Sequence, residues 1–173
     1  MMAGLSEFDA KEKAKEMISN FLNWEKTFKG EIVSVEEWYP FKIDGFEIKC
    51  KTDRINKLPD GKFEIVDYKS SKRALSSNKL GEDLKMKIYA LAIKNRFDQD
   101  PAKIIHYYPK PEKHENGIAI EAAITPPMLE ETENKIKEII KAIIEEKFEI
   151  VEEPNCMFCD YKGICEWRQG KGV

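Results

Sequence analysis

No apolar stretch in this 173-residue chain approaches the roughly 20 residues a membrane helix needs, so a spanning helix is excluded. The amino-terminal run Met1-Met2-Ala3-Gly4-Leu5-Ser6-Glu7-Phe8 lacks the basic and apolar regions of a secretory signal, and the expected location is cytoplasmic. Its doubled methionine suits a piece of a longer protein. With 29 Lys and Arg against 32 Asp and Glu, the net charge of −3 gives no global basic field to attract nucleic acid. Cysteine is sparse, at four residues, and without secretory features these do not read as a disulfide framework. Histidine is scarcer still: His106, expected in a strand as a packing or surface residue, and His114. Internal repeats and low-complexity tracts are absent. What is there is ordinary for one globular domain with a real core: 42% apolar residues, three Trp and nine Phe.

Two short strand-like runs carry the chemistry, Cys50-Lys51-Thr52-Asp53-Arg54-Ile55 and Phe63-Glu64-Ile65-Val66-Asp67-Tyr68-Lys69. Residues i and i+2 of a strand share a face, so Asp67 and Lys69 project together and Tyr68 points the opposite way. If the runs pair as a hairpin around Leu58-Pro59-Asp60-Gly61, Asp53 comes within reach of Asp67. Two carboxylates and an ammonium on one patch suit a divalent cation and phosphodiester hydrolysis. An acid and a lysine two apart are common in a chain with 35% charged residues, and a surface ion pair accounts for them without function. Context argues otherwise. Phe63, Ile65 and Val66 read as a buried strand, and a carboxylate closing such a strand is costly unless a cation compensates it.

Around these runs the pattern predicts an amphipathic helix from Glu7 to about Lys26, ended by Gly30, with Ala14, Met17, Ile18, Phe21 and Leu22 in its stripe. Strands follow near Ile32–Trp38, Phe41–Ile43, Phe46–Ile55 and Phe63–Lys69, with Asp44-Gly45 as a hairpin turn. Ser70 to Lys79 reads as a loop and Leu80 to about Asn95 as a helix. Ile104–Tyr108 and Ile118–Ile124 read as two more strands, and Thr125-Pro126 opens a helix to about Lys147. The fold class is α/β or α+β, a mixed sheet flanked by helices.

Lys69, Lys72, Arg73, Lys79, Lys85 and Lys87 face only Glu82 and Asp83 in the stretch after the acids. That local excess is either a solvated loop or a rim that tracks phosphates. At the other end, Cys156, Cys159 and Cys165 form a C-x2-C-x5-C arrangement that points to zinc or an iron–sulfur cluster. Both want four ligands, and the remaining cysteine is Cys50. A nucleobase deaminase also uses Pro-Cys-x-x-Cys but needs an upstream His or Cys before x-Glu, which is missing.

Taken in order, these motifs resemble the PD-(D/E)XK nuclease superfamily, in its RecB-like branch with a carboxy-terminal cysteine cluster. That branch includes nuclease domains of AddB-type helicase–nucleases and CRISPR-associated RecB-like exonucleases. The resemblance runs from about Val33 to Trp167. The family's G-x-(I/V)-D-R-(I/V) strand falls on Cys50 to Ile55, with Cys50 in the glycine place, and V-D-Y-K-(T/S) falls on Val66 to Ser70. Glu36 matches an earlier glutamate, Lys85 to Tyr89 match Q-x-x-x-Y, and the three late cysteines match the cluster motif. The resemblance implies a restriction-endonuclease-like mixed sheet and Mg2+ or Mn2+ held by Asp53, Asp67 and the Tyr68 backbone carbonyl, assisted by Glu36. It further implies that Lys69 orients the attacking water or neutralises the transition state, and that Lys85 and Tyr89 contact the DNA backbone alongside Lys72 and Arg73. Three departures stand out: no histidine on the amino-terminal helix, Lys85 where Gln is usual, and no early cysteine to complete a 4Fe–4S cluster.

The expected layout is an amino-terminal helix over 1–30, a nuclease core over 31–150 and a cysteine segment over 151–173. The expected function is a metal-dependent deoxyribonuclease acting on single strands or ends, with no membrane association and with DNA and a helicase or CRISPR adaptation protein as expected partners. The rival is a catalytically weak DNA-binding or assembly module built on the cysteine site.

Overall fold

The structure, a computed structural model, describes residues 6–71, 73–109, 116–147, 156 and 159–165. It divides into two units, Met1–Ile136 and Lys137–Val173. Among the described residues no helix is long and apolar enough to cross a membrane.

Helix α1 (Glu7–Glu25) starts where Ser6 accepts a hydrogen bond from the Asp9 N–H, and Glu7 and Asp9 place acids against its positive end. Its half-buried Phe21 and Trp24 pack on a cluster of Val66, Ile105 and Tyr107, whereas Ile18 and Leu22 of the expected stripe are exposed. Trp24 stacks on Tyr107 at 4.2 Å between centroids, and Phe21 meets Tyr68 edge-on at 5.8 Å. The helix ends at Glu25 rather than at Gly30. Gly30 serves another purpose: a Cβ there would collide with the Lys57 carbonyl and the Phe28 ring.

Strands β1 (Glu31–Trp38), β4 (Lys51–Lys57), β5 (Phe63–Tyr68), β6 (Lys103–Tyr108) and β7 (Ile118–Ala123) form one sheet in the order β1-β4-β5-β6-β7. Strands β2 (Phe41–Ile43) and β3 (Phe46–Ile48) form a separate hairpin, with positive φ at both Asp44 and Gly45 as a primed turn requires. The run expected as one strand from Phe46 to Ile55 thus divides between two sheets. Cys50 lies buried at the break, where Tyr39 N–H donates to its carbonyl.

All sheet pairings are antiparallel except β5 with β6. A parallel pair needs a crossover, and helices α2 (Ser77–Glu82) and α3 (Leu84–Phe97) supply it. Sequence periodicity predicts a single helix here, preceded by a loop to Lys79. Instead α2 begins at Ser77 behind the Ser76 cap, and Asp83 interrupts the helix in an extended conformation. The Asp83 carboxylate accepts from the Met86 N–H at 3.2 Å, so its capping preference outweighs the periodic pattern.

The crossover helices cover the face opposite α1: Phe97 of α3 stacks on Phe63 at 4.4 Å. That face bears Ile55, Ile65 and Ile104 in one cross-strand row, each fully buried and each contributing about 2 kcal/mol by burial. Helix α4 (Pro126–Ile144) buries Leu129, Thr132 and Ile136, while its later isoleucines belong to the second unit. In that unit a 3-10 turn (Asp160–Gly163) follows Cys159, whose N–H approaches the Cys156 carbonyl at 3.5 Å.

Candidate active site

Alternation along β4 and β5 sends neighbours of each motif to opposite faces. Arg54 turns toward α1, where its guanidinium meets Glu25 at 2.5 and 3.1 Å, Asn56 at 2.6 Å and the Phe28 ring at 4.9 Å. Asp53 and Asp67 turn toward the crossover helices. The Arg54↔Val66 register, continued one step, sets Asp53 opposite Asp67, and the parallel register sets Asp67 beside His106. Val35↔Arg54 and Glu37↔Thr52 bracket Glu36 opposite Asp53. By register, positions 36, 53, 67 and 106 of four strands stand in one row.

Asp67 is the centre of charge. It is 1% exposed, yet Lys69 Nζ lies 2.6 Å from its Oδ2 and Lys85 Nζ lies 2.8 Å from its Oδ1. Burial pushes its pKa up, but the two ammoniums more than offset that and hold it below the ordinary carboxylate range. Lys85 is penalised by burial and raised overall by Asp67. The ammonium of Lys69 is the one partner of the buried Oδ2, whereas Thr52 Oγ1 and His106 Nε2 are buried polar atoms with no hydrogen bond among the described residues. Asp53 is steadied differently, its Oδ2 accepting the Tyr68 N–H at 2.8 Å.

Two carboxylates and the nearby Tyr68 carbonyl are hard oxygen donors of the kind Mg2+ and Mn2+ prefer, and the two ammoniums drawn to Asp67 show that its buried carboxylate attracts positive charge. The residues fit such an ion. No three His, Cys, Asp or Glu side chains form a ready cage among the described residues, so water and substrate oxygens would complete the coordination, as they commonly do for Mg2+.

The other expected site residues fall as follows. Glu36 adopts a positive φ of 53° and pairs with Lys51 at 2.5 Å, 60% exposed, rather than with the acids. Lys85 engages Asp67 and lies 5.2 Å above the Tyr89 ring, and Tyr89 itself is buried. Arg73 is exposed, its carbonyl accepting from Ser71 Oγ at 3.2 Å. Lys72 lies outside the described residues. Cys156, Cys159 and Cys165 are half-buried free thiols that belong to no three-ligand group among the described residues.

Sequence reasoning missed His106, Tyr108 and Asp83. His106 is wholly buried, with Nε2 3.9 Å from Asp67 Oδ2 and 3.9 Å from Asp83 Oδ2. Burial, with help from Lys69, pushes its pKa down against the pull of Asp67 and Asp83, which favours the neutral imidazole. The cap residue Asp83 was readable as a helix start; the partnership of His106 was not, because it depends on the parallel register.

Among solved structures the chain is similar to SSO0001, at 16% identity and TM-score 0.50 over 90% of this chain and 69% of that one. It is also similar to a protein of Eubacterium rectale named for a suspected exonuclease activity, at 16% identity and TM-score 0.54 over 100% of this chain and 70% of that one. At such identity these likenesses establish the fold. Comparison with curated proteins gives no match. The family description that does match is the PD-(D/E)XK nuclease superfamily, over residues 5–166. Since that span takes in the whole five-stranded sheet, its crossover and the row of acids, the chain belongs to the PD-(D/E)XK nuclease superfamily.

Proposed function

We propose that this protein is a Mg2+- or Mn2+-dependent deoxyribonuclease of the RecB-like branch, acting on single strands or ends. The observation that carries the reading is the convergence of Asp53, Asp67 and Lys69 on one face of β4 and β5. Asp53, Asp67 and the Tyr68 carbonyl would hold the ion. Bound there, a divalent cation supplies positive charge to a phosphoryl oxygen and acidity to water. Lys69 orients the attacking water or meets the charge that develops on phosphorus, as a compact ammonium suits. Lys85, beside Asp67, would contact a phosphate of the DNA backbone, and Lys72 and Arg73 in the following basic stretch would add further phosphate contacts.

The late cysteines support a second, structural role. Cys156, Cys159 and Cys165 would hold zinc or an iron–sulfur cluster once a fourth ligand joins them, and a helicase or CRISPR adaptation partner is the setting such a segment suits. One observation favours the rival reading of a weakly catalytic DNA-binding module: both oxygens of Asp67 carry a lysine ammonium.

Cleavage of labelled single-stranded DNA with Mn2+ separates the two. The nuclease reading expects metal-dependent products from the wild type and none from Asp67→Ala. Equal cleavage by that variant would remove Asp67 from the mechanism, and DNA binding without turnover in the wild type would establish the rival.

A further inference from the structure

We propose that His106, Asp83 and Asp67 enclose a single buried water that fixes the Asp67 carboxylate and ties it to the start of α3. The proposal rests on the functional reading above for what Asp67 does, and on geometry for the rest.

His106 Nε2 is buried and lacks a hydrogen bond, and it faces Asp67 Oδ2 at 3.9 Å, a carboxylate oxygen that has Lys69 Nζ at 2.6 Å and a further lone pair to offer. Asp83 Oδ2 stands at the same 3.9 Å from Nε2. That distance is too long for a direct hydrogen bond. Two hydrogen bonds of about 2.8 Å meeting at one oxygen near a right angle hold their partners about 4 Å apart. Two ligands of a small divalent ion, each about 2.1 Å from it, stand only about 3 Å apart at a right angle. Water fits both separations, and it has the partners a buried water needs.

Donors and acceptors also balance. Tyr108 Oη accepts the Leu75 N–H at 3.2 Å and lies 3.5 Å from His106 Nδ1, and the proposed arrangement directs the phenol proton at Nδ1. A neutral imidazole that accepts at Nδ1 carries its proton on Nε2. That N–H donates to the water oxygen, and the two water protons go to Asp67 Oδ2 and Asp83 Oδ2. Every group is then satisfied.

The consequence lies in which elements are joined. Asp67 sits on β5, His106 and Tyr108 on β6, and Asp83 caps the helix that carries Lys85 and Tyr89. The water would make the orientation of Asp67 depend on the position of α3. His106 is a positioning residue in this arrangement, acting on the carboxylate rather than on substrate.

The test is Mn2+ affinity, followed by electron paramagnetic resonance with the metal alone, in His106→Leu, His106→Gln and Tyr108→Phe. Loss of a group that orients a metal ligand costs about 10- to 100-fold in affinity, so His106→Leu is expected to fall at least tenfold. His106→Gln, whose amide can donate toward the same point, is expected to recover most of that loss. Turnover of DNA should drop in kcat with KM little changed. Should His106→Leu fail to fold, Tyr108→Phe carries the test, since it keeps the ring and removes the proton that sets the tautomer; it too must weaken Mn2+ binding. Wild-type affinity in whichever of these variants folds overturns the proposal. Asp67→Ala is the control: if it loses Mn2+ while His106→Leu keeps it, only this inference fails, and if it binds Mn2+ as the wild type does, the functional reading fails first.

Discussion

Lys85→Gln tests whether a lysine competes for the seat of the metal. Lys85 occupies the place where the family motif has glutamine, and its ammonium lies 2.8 Å from Asp67 Oδ1. A cation bound through Oδ1 would have to share or take that oxygen. The acid is buried but the lysine side chain is 52% exposed, so solvent screens the pair and its worth is held to about 1 kcal/mol. Removing the competitor should therefore tighten Mn2+ binding about fivefold, since 1.4 kcal/mol corresponds to about tenfold. If Lys85 contacts the DNA backbone as proposed, the same change removes that cation, and KM for DNA should rise while metal affinity improves. A paramagnetic resonance titration reads the first effect, and steady-state cleavage of labelled DNA reads the second. Lys85→Arg, which keeps the charge, should leave Mn2+ affinity near the wild-type value. Unchanged or weaker Mn2+ binding in a folded Lys85→Gln protein refutes the competition and makes Lys85 a support for the site.

Three further outcomes follow from the fold and its charges. Asp67 has a lowered pKa, so its stabilising contribution is complete above the ordinary carboxylate value and is lost as pH falls through its depressed one; His106, also lowered from 6.5, contributes above that value and loses its contribution below it. Thermal melts should thus show Tm falling steadily below about pH 6.5, and a Tm that rises on acidification contradicts both assignments. Gly30→Ala forces a Cβ against the Lys57 carbonyl and the Phe28 ring, and should lower Tm by about 3 to 10 °C in calorimetry. Arg54→Met leaves the partly buried Glu25 without its partner and should cost about 3 kcal/mol in urea unfolding, whereas a loss near zero would show that α1 is held by its aromatic stripe alone.

Much of the fold was legible because its signals are local. The amphipathic period that places Phe21 on the sheet, the Asp44-Gly45 turn and the Leu58 to Gly61 turn each sit inside the element they specify. So does the alternation that parts Asp67 from Tyr68. The errors are local as well. Phe46 to Ile55 has the composition of one strand, and only the partner of each half decides that β3 and β4 belong to different sheets. Around Asp83 an unbroken apolar period conceals a cap, because periodicity counts apolar positions and ignores a carboxylate that can satisfy the Met86 N–H.

The site was legible to the extent that a hairpin makes it. Asp53 and Asp67 are fourteen residues apart across one tight turn, and pairing them needs nothing beyond strand alternation. His106 lies 39 residues beyond Asp67, on a strand whose register is fixed only after α2 and α3 have packed over Ile55, Ile65 and Ile104. No spacing rule reaches across such a crossover. The same step explains why Lys85, legible as a basic residue on a helix, could not be read as a partner of Asp67: its helix is aimed by the Asp83 break. Chemistry delivered by the hairpin is therefore open to reading from the chain, and chemistry delivered by the crossover waits for the tertiary packing that brings β6 and α3 against the acids.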